Sequence, residues 1–305
     1  MNSSSMPPPR FSILMNVHNG ERYLRAAIES VLAQTFQDWE LIIWDDRSTD
    51  GSAAICASYI DPRLRLIVSE VNIGLGAGRN AALPLTKGEW IAFLDQDDIW
   101  TPDKLAAQHE LIRSDRSGRL ALVYGRTERF DDRGPIGPFD PWYGTRRLPE
   151  GDILDALLAR PSFISDSSLA VKRSPLMALL PFPARIKFCI DYYLCMMIAR
   201  QHEAACVQTL CCHYRVHPGS MTNVFRREAH LEVLDIIRIA TRPSQRRMLM
   251  LRQRVHESFI GVEDLRSGRW KEGLGRIVLR GSPTYLALRP LVRAARRLRD
   301  RARQS

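Results

Sequence analysis

No Cys-x-x-Cys spacing occurs among the six cysteines, Cys56, Cys189, Cys195, Cys206, Cys211 and Cys212. Cysteine-based zinc sites and dithiol redox motifs usually carry that pairing, so buried, reduced thiols in a cytosolic protein are expected and a zinc site is not. No uninterrupted apolar run approaches the roughly 18 residues of a membrane span. The most apolar tract, residues 188–199, is too short and contains Asp191. The first ten residues, MNSSSMPPPR, lack the basic start and apolar middle of a signal peptide and read as a disordered lead-in. A dinucleotide fingerprint is missing as well. Gly74 and Gly76 have the right spacing, but Arg79 stands where the third glycine or alanine belongs, and the loop follows the third strand instead of the first. No nucleic-acid motif or interleaved aromatic platform is present, so nucleic acid is not an expected partner.

What the chain does have is an ordinary core composition, 45% hydrophobic over 305 residues, enough for one large α/β domain with an appendage. Its net charge of +10 is unevenly placed. Residues 226–305 carry 20 Arg and Lys against 8 Asp and Glu, whereas residues 1–225 carry 24 against 26. A near-neutral globular domain over 11–225 is therefore expected, followed by a basic, mostly helical region over 226–305.

The organising stretch is residues 89–105, EWIAFLDQDDIWTPDKL. Residues 90–94 form an aromatic and branched apolar run that reads as a buried strand. Asp95, Gln96, Asp97 and Asp98 follow directly. Three carboxylates in four positions at the end of a buried strand repel one another and are costly to desolvate. A hard divalent cation, Mn²⁺ or Mg²⁺, would satisfy them, its shell completed by water and phosphate. An acidic turn capping a helix is the alternative, because Thr101 and Pro102 read as N-cap and first helical residue.

Along the chain, strands are expected at 11–15, 39–44, 63–68 and 90–94. Helices are expected at 21–33, at 53–57 with Ser48 or Thr49 as cap, and at 79–85, with a glycine-rich loop over 72–78. This alternation predicts a mostly parallel sheet flanked by helices. The loops after the first, second and fourth strands then emerge on one edge of the sheet, where a ligand crevice forms. A further strand is expected at 120–125, a long variable loop at 131–148 and a strand at 168–172.

Several of these segments occur together in a recognisable order. They are Asn19-Gly20-Glu21-Arg22-Tyr23-Leu24, then Trp44-Asp45-Asp46-Arg47-Ser48-Thr49-Asp50-Gly51-Ser52, then Ala77-Gly78-Arg79-Asn80-Ala81-Ala82, then residues 88–98. Residues 11–225 thereby resemble the family 2 glycosyltransferases. The resemblance implies the GT-A fold and inverting transfer of a sugar from a nucleoside-diphosphate donor of UDP, dTDP or GDP type. It also implies roles. Asp46 would hydrogen-bond the donor's base, with Asn16, His18 and Arg79 close to the same base. Asp97 would ligate the metal, and Asp95 would lie nearer the ribose, with Gln96 among the substrate-binding residues. The family usually carries Pro and Tyr where Asn16 and His18 stand here, which leaves the base open.

Asp191 matches the place of the catalytic base, although Ile190 replaces the first acid of the family's usual pair. Set among Phe188, Ile190, Tyr192 and Leu194, it should be partly desolvated, and it is also placed to cap a helix over 192–200. Arg215 and His217 resemble the family's closing Tyr-Arg-x-His element, which puts His217 near the diphosphate or the metal and lets Arg215 help neutralise phosphate. A structural role is the alternative for His217. The processive synthases' Gln-x-x-Arg-Trp motif is absent, so single addition is expected. The acceptor is expected to be a glycan or a lipid-linked glycan. Residues 95–100 resemble the spelling in some bacterial rhamnosyl- and hexosyltransferases of surface polysaccharide assembly. In the tail, residues 284–303 pair an apolar stripe with arginines, a pattern suited to an anionic membrane surface and equally to a helix packed on the domain with a solvated basic face. The expected location is cytoplasmic, peripheral on the cytoplasmic face of the membrane. The alternatives are a sugar nucleotidyltransferase and an inactive nucleotide-sugar binder.

Overall fold

The structure is a computed structural model that describes residues 7–141, 143–160 and 163–279, without the side chains at 222, 223, 226, 278 and 279. By internal contacts it divides into two compact units, residues up to His217 and residues from Pro218.

The first unit starts with β1 (Phe11–Val17), α1 (Glu21–Leu32), β2 (Trp39–Asp45), α2 (Ser52–Ala57), β3 (Leu64–Val68) and α3 (Leu75–Ala82). It continues through β4 (Trp90–Phe93), β5 (Ile99–Trp100), α4 (Lys104–Ser114), β6 (Leu120–Asp131) and β7 (Gly134–Pro138). Then come α5 (Leu154–Ala159), β8 (Ala170–Lys172), α6 (Arg173–Met177), α7 (Ile190–Ala199) and β9 (Glu203–Arg215). The sheet order is β3-β2-β1-β4-β8-β6-β9-β5, with β7 paired to β6.

The half formed by β3, β2, β1 and β4 is parallel. The chain leaves β1 towards β2 and β3 and returns on the other side of β1 with β4. This switch point opens a crevice at the carboxyl ends of the strands. Ile13, Met15 and Val17 alternate along β1 and join Leu24, Ala27, Ile28 and Val31 of α1 in one buried cluster. Burying a side chain of that size stabilises by about 1.5–3 kcal/mol, so this cluster fixes which face β1 turns to α1. Residues of the opposite parity, such as Asn16, are then committed to the α3 side.

The structure changes several boundaries. The acids at 95–98 lie in a turn between two strands, because Ile99 and Trp100 pair with His213 and Cys212 of β9. Thr101 caps no helix. Its hydroxyl donates to the carbonyls of Leu210 and Cys211, and α4 starts only at Lys104. The loop over 72–78 is half helix. Gly74, at φ +81°, turns the chain and α3 begins at Leu75. Helix α2 is capped from Gly51, since the hydroxyl of Ser48 is taken by the backbone N–H of Asn19. The segment 131–148 begins as the β6–β7 hairpin.

The second unit contains α8 (Met221–Val224), α9 (Arg226–Ala240), α10 (Arg246–Arg266) and α11 (Trp270–Leu279). Val262, Leu265 and Ile277 form a small core between α10 and α11. Asp264, fully buried, is held there by Arg227 at 2.7 Å, Arg269 at 2.9 Å and Arg276 at 3.3 Å. Among the described residues no helix is long and apolar enough to cross a membrane. The stripe at 284–303 lies outside the described residues.

Candidate active site

Three loops meet at the carboxyl edge of the parallel strands, and side chains lock them together. The Gln96 amide accepts from His18 N–H at 2.9 Å and donates back to His18 C=O at 3.2 Å, as a neighbouring strand would. Gly20 lies against it, where an added Cβ would be 2.4 Å from Gln96 Oε1. The first and second loops are tied reciprocally. Thr49 N–H donates to Asn19 Oδ1 at 2.8 Å, Glu21 N–H to Asp50 Oδ2 at 3.1 Å, and Gly51 N–H to Glu21 Oε2 at 2.7 Å.

Asn16, His18 and Asp46 are brought together at the ends of β1 and β2. The Asp46 carboxylate accepts the N–H groups of Ile73 at 3.0 Å and Gly74 at 2.7 Å, and so positions the start of α3. His18 Nδ1 is 3.0 Å from the Asp46 carbonyl oxygen. Both amide atoms of Asn16 and the indole Nε1 of Trp44 are buried without a hydrogen-bond partner. They converge on Gly78, where a Cβ would stand 3.0 Å from Asn16 Nδ2 and from Trp44 Nε1. Leaving such atoms unsatisfied costs about 1–3 kcal/mol each, which marks this as a place where a polar ligand or water is expected to act.

In the acidic turn the carboxylates divide by role. Asp98, 1% exposed, is structural. It accepts the Ser167 hydroxyl at 2.6 Å and Arg215 N–H at 2.8 Å. Ser167 Oγ also accepts Asp95 N–H at 3.1 Å, so one hydroxyl sets both ends of the turn. Asp97 points its Oδ2 at His217 Nε2, 2.8 Å away, while its carbonyl accepts Arg215 Nε at 2.9 Å. Arg79 is buried and ion-paired with Asp166, and its guanidinium lies 3.8 Å from Asp95. In this structure its partners are therefore carboxylates.

Burial pushes the carboxyls of Asp95 and Asp98 well above the ordinary range. For Asp95 the charges of Asp166, Asp98 and Asp97 add to this, and for Asp98 that of Asp97. Asp191 lies in the first turn of α7, where Cys189 holds the cap position, so the capping reading of Asp191 does not hold. Burial raises its carboxyl to about 6, helped by the charge of Asp166 and opposed by Tyr192 N–H and by Arg79.

Among the described residues no group of three or more His, Cys, Asp or Glu is arranged to hold a metal ion. A hard cation that draws its remaining ligands from diphosphate and water would need only one or two protein ligands here, and Asp97 with His217 would supply them. Asp97 and His217 already face each other. The repulsion that adds to burial in raising the carboxyls of Asp95 and Asp98, offset at Asp95 by Arg79, is what a bound cation would relieve.

Asp166 and Ser167 lie in the run 163–168, which the sequence marks as a loop ahead of a strand, of the kind that shapes an acceptor pocket, without giving either residue a role of its own. A signal was there, since Ser165 to Ser168 is a polar run between the apolar pairs Phe163-Ile164 and Leu169-Ala170. All four of its residues are buried, and buried polar groups need partners.

A protein-family model described as glycosyl transferase family 2 matches residues 12–179, more than half of the chain. The chain belongs to that family. Over 214 residues this glycosyltransferase is 29% identical to an Escherichia coli protein, UDP-Glc:alpha-D-GlcNAc-diphosphoundecaprenol beta-1,3-glucosyltransferase WfgD, covering 70% of this chain and 79% of that one. Over 106 residues it is 41% identical to the putative teichuronic acid biosynthesis glycosyltransferase TuaG of Bacillus subtilis, covering 34% of this chain and 42% of TuaG. The match thus spans less than half of TuaG. Among solved structures, S. aureus TarS 1-349 in complex with UDP matches with a TM-score of 0.66 at 20% identity, over 94% of this chain and 87% of TarS. The mannosyltransferase PcManGT of Pyrobaculum calidifontis, in complex with GDP-Man and Mn²⁺, matches with a TM-score of 0.62 at 18% identity, over 94% and 80%. The fold of this family 2 glycosyltransferase is GT-A.

Proposed function

We propose that this glycosyltransferase moves a hexosyl, N-acetylhexosaminyl or rhamnosyl group from a nucleoside-diphosphate sugar to a hydroxyl of a glycan or lipid-linked acceptor, with inversion, in bacterial surface polysaccharide assembly. The observation that carries the reading is the acidic turn, where Asp97 faces His217 at 2.8 Å and Arg79, paired with Asp166, lies 3.8 Å from Asp95. The Asp191 carboxyl, raised by burial to about 6, feels the charges of that Arg79–Asp166 pair. A base of that pKa is largely ionised at neutral pH and still accepts a proton as it develops in the transition state. The acceptor oxygen attacks the anomeric carbon from the face opposite the diphosphate. Asp191 takes the hydroxyl proton as the bond to the leaving diphosphate breaks.

Asp97, His217 and Asp95 would hold Mn²⁺ or Mg²⁺, which when bound supplies Lewis-acid stabilisation of charge on the diphosphate. Asn16, His18 and Asp46 supply the base end of the donor site, with Gln96 fixing the His18 backbone. The names of WfgD, which specifies a diphosphoundecaprenol-linked substrate, and of PcManGT, with GDP-Man and Mn²⁺, support a lipid-linked acceptor and a metal. The proposed setting is the cytoplasmic face of the membrane.

The test starts with thermal shifts of the full chain with UDP, dTDP and GDP sugars, each with and without Mn²⁺, since a ligand of the native state raises its apparent stability. Release of nucleoside diphosphate is then followed on a lipid-diphosphate-linked sugar acceptor. Pyrophosphate release from a nucleoside triphosphate would move the reading to a nucleotidyltransferase. Donor binding without turnover on any acceptor would move it to an inactive binder.

A further inference from the structure

Beside the acidic turn, Tyr23 in the first turn of α1 carries three nitrogenous groups on one ring. The guanidinium carbons of Arg22 and Arg215 lie 4.9 Å and 4.4 Å from its centroid, and the His217 ring lies 5.1 Å away. Arg215 is further packed over Phe130 at 4.3 Å. Such stacking leaves guanidinium N–H groups free to fork towards an oxyanion.

One carboxylate is already held there. Asp132, in the turn between β6 and β7, accepts Arg22 Nη2 at its Oδ2, 2.8 Å away, and turns Oδ1 to Arg215 Nη1 at 3.8 Å. Two guanidinium groups facing the two oxygens of one anion is the arrangement that recognises phosphate.

The partners differ in how firmly they are fixed. Arg215 has a side chain 11% exposed, and its Nε and backbone N–H are anchored on Asp97 C=O and on Asp98. Asp132 and Arg22 have side chains 61% and 69% exposed. An ion pair so wet is worth little and exchanges readily. Half of the cradle is therefore built in, and the carboxylate in it is replaceable.

We propose that Arg22 and Arg215, aligned on Tyr23, form an oxyanion subsite for a phosphate or diphosphate ester, and that the Asp132 carboxylate is the group this ester displaces. The subsite rests on the glycosyl-transfer reading only for the source of the ester, which is either the acceptor's lipid-linked phosphate or the donor's diphosphate. It differs from a metal-held diphosphate at Asp97 because arginines bind phosphate without a divalent ion.

The test is a calorimetric titration of inorganic diphosphate into the full chain, with chelator present and at low ionic strength. Wild type is compared with Arg22→Gln and Asp132→Asn, both exposed substitutions. Wild type binds, Arg22→Gln raises Kd about fivefold, and Asp132→Asn lowers it about fivefold. Opposite signs that persist when the titration is repeated at about 0.15 M salt are the mark of displacement, since the general effect of either charge change on a nearby anion is screened there. Signs that vanish with salt would overturn it. No metal-free binding, an unchanged Kd in Arg22→Gln, or weaker binding in Asp132→Asn would overturn the subsite. Diphosphate binding is read without turnover, so a chain that transfers no sugar still answers the question. Where turnover is measured, Arg22→Gln raising KM for the acceptor assigns the ester to the acceptor, and raising KM for the donor assigns it to the donor. No change in either KM overturns the proposal.

Discussion

His217 Nε2 lies 2.8 Å from Asp97 Oδ2, joining two residues 120 positions apart in the chain. The contact depends on β9, whose partner β5 follows the acidic turn directly, so the strand that delivers His217 also closes the turn bearing Asp97. If these two side chains share a metal, His217→Ala should raise the Mn²⁺ concentration needed for half-maximal donor-induced stabilisation by about tenfold or more. Thermal shifts at a series of Mn²⁺ concentrations measure this. An unchanged midpoint would remove His217 from the metal.

Asp191 should set the acid limb of the pH–rate profile. Only its ionised form accepts a proton, so kcat/KM should fall with decreasing pH below about 6. Asp191→Asn should abolish turnover and leave donor binding intact. The stability effect has the opposite sign. A carboxyl whose folded pKa is raised binds more protons folded than unfolded, so it lowers stability as pH rises from 3.8 through about 6. At pH 7, therefore, Asp191→Asn should melt higher than wild type in differential scanning calorimetry.

The parallel half of the fold was legible because each buried strand is an apolar run ending abruptly in polar residues. The same pattern marked Asp46, Asp95 and Asp97. What sequence did not show were effects of tertiary contact. Thr101 has the spelling of a cap, but the Leu210 and Cys211 carbonyls claim its hydroxyl. The glycines at 76 and 78 have the spelling of a loop, yet they lie in α3. A Cβ at Gly76 would meet Ile190 at 3.1 Å, and one at Gly78 would meet Asn16 and Trp44 at 3.0 Å. Close packing, not chain reversal, explains them. The pairing of Arg79 with Asp166 spans 87 positions and depends on a short buried turn with no periodicity to read.

Lys104 should make stability rise with pH above neutrality. Its ammonium is fully buried, 3.8 Å from the Trp100 ring centroid and 2.9 Å from Gln108 Oε1. Burial lowers its pKa from 10.5 to about 7. Between those values the unfolded chain binds the extra proton, so raising the pH favours the folded state. Lys104→Met keeps the volume and removes the buried charge. It should be more stable than wild type at pH 6 by about 2 kcal/mol and lose the pH dependence above 7. Urea denaturation at pH 6 and pH 9 decides. A wild-type stability that does not change across that range would mean that the ammonium stays charged in the fold.

Gly20 and Gln96 should behave as one unit. The backbone at Gly20 is ordinary, with φ −105°, so any cost of a side chain there is a cost of space. An added Cβ would lie 2.4 Å from Gln96 Oε1 and 2.6 Å from Gln96 Cδ, which forces the amide away from His18. Gly20→Ala should therefore break both hydrogen bonds between Gln96 and the His18 backbone, costing about 1–3 kcal/mol and weakening donor binding. Gln96→Ala removes the same bonds and also clears the space. In the double variant the alanine at 20 has nothing left to displace, so its cost should nearly vanish. The expected coupling is about 1 kcal/mol or more, measured as a double-mutant cycle in urea denaturation. Simple additivity would show that the Gln96 amide does not hold the first loop, and His18 would then need another support.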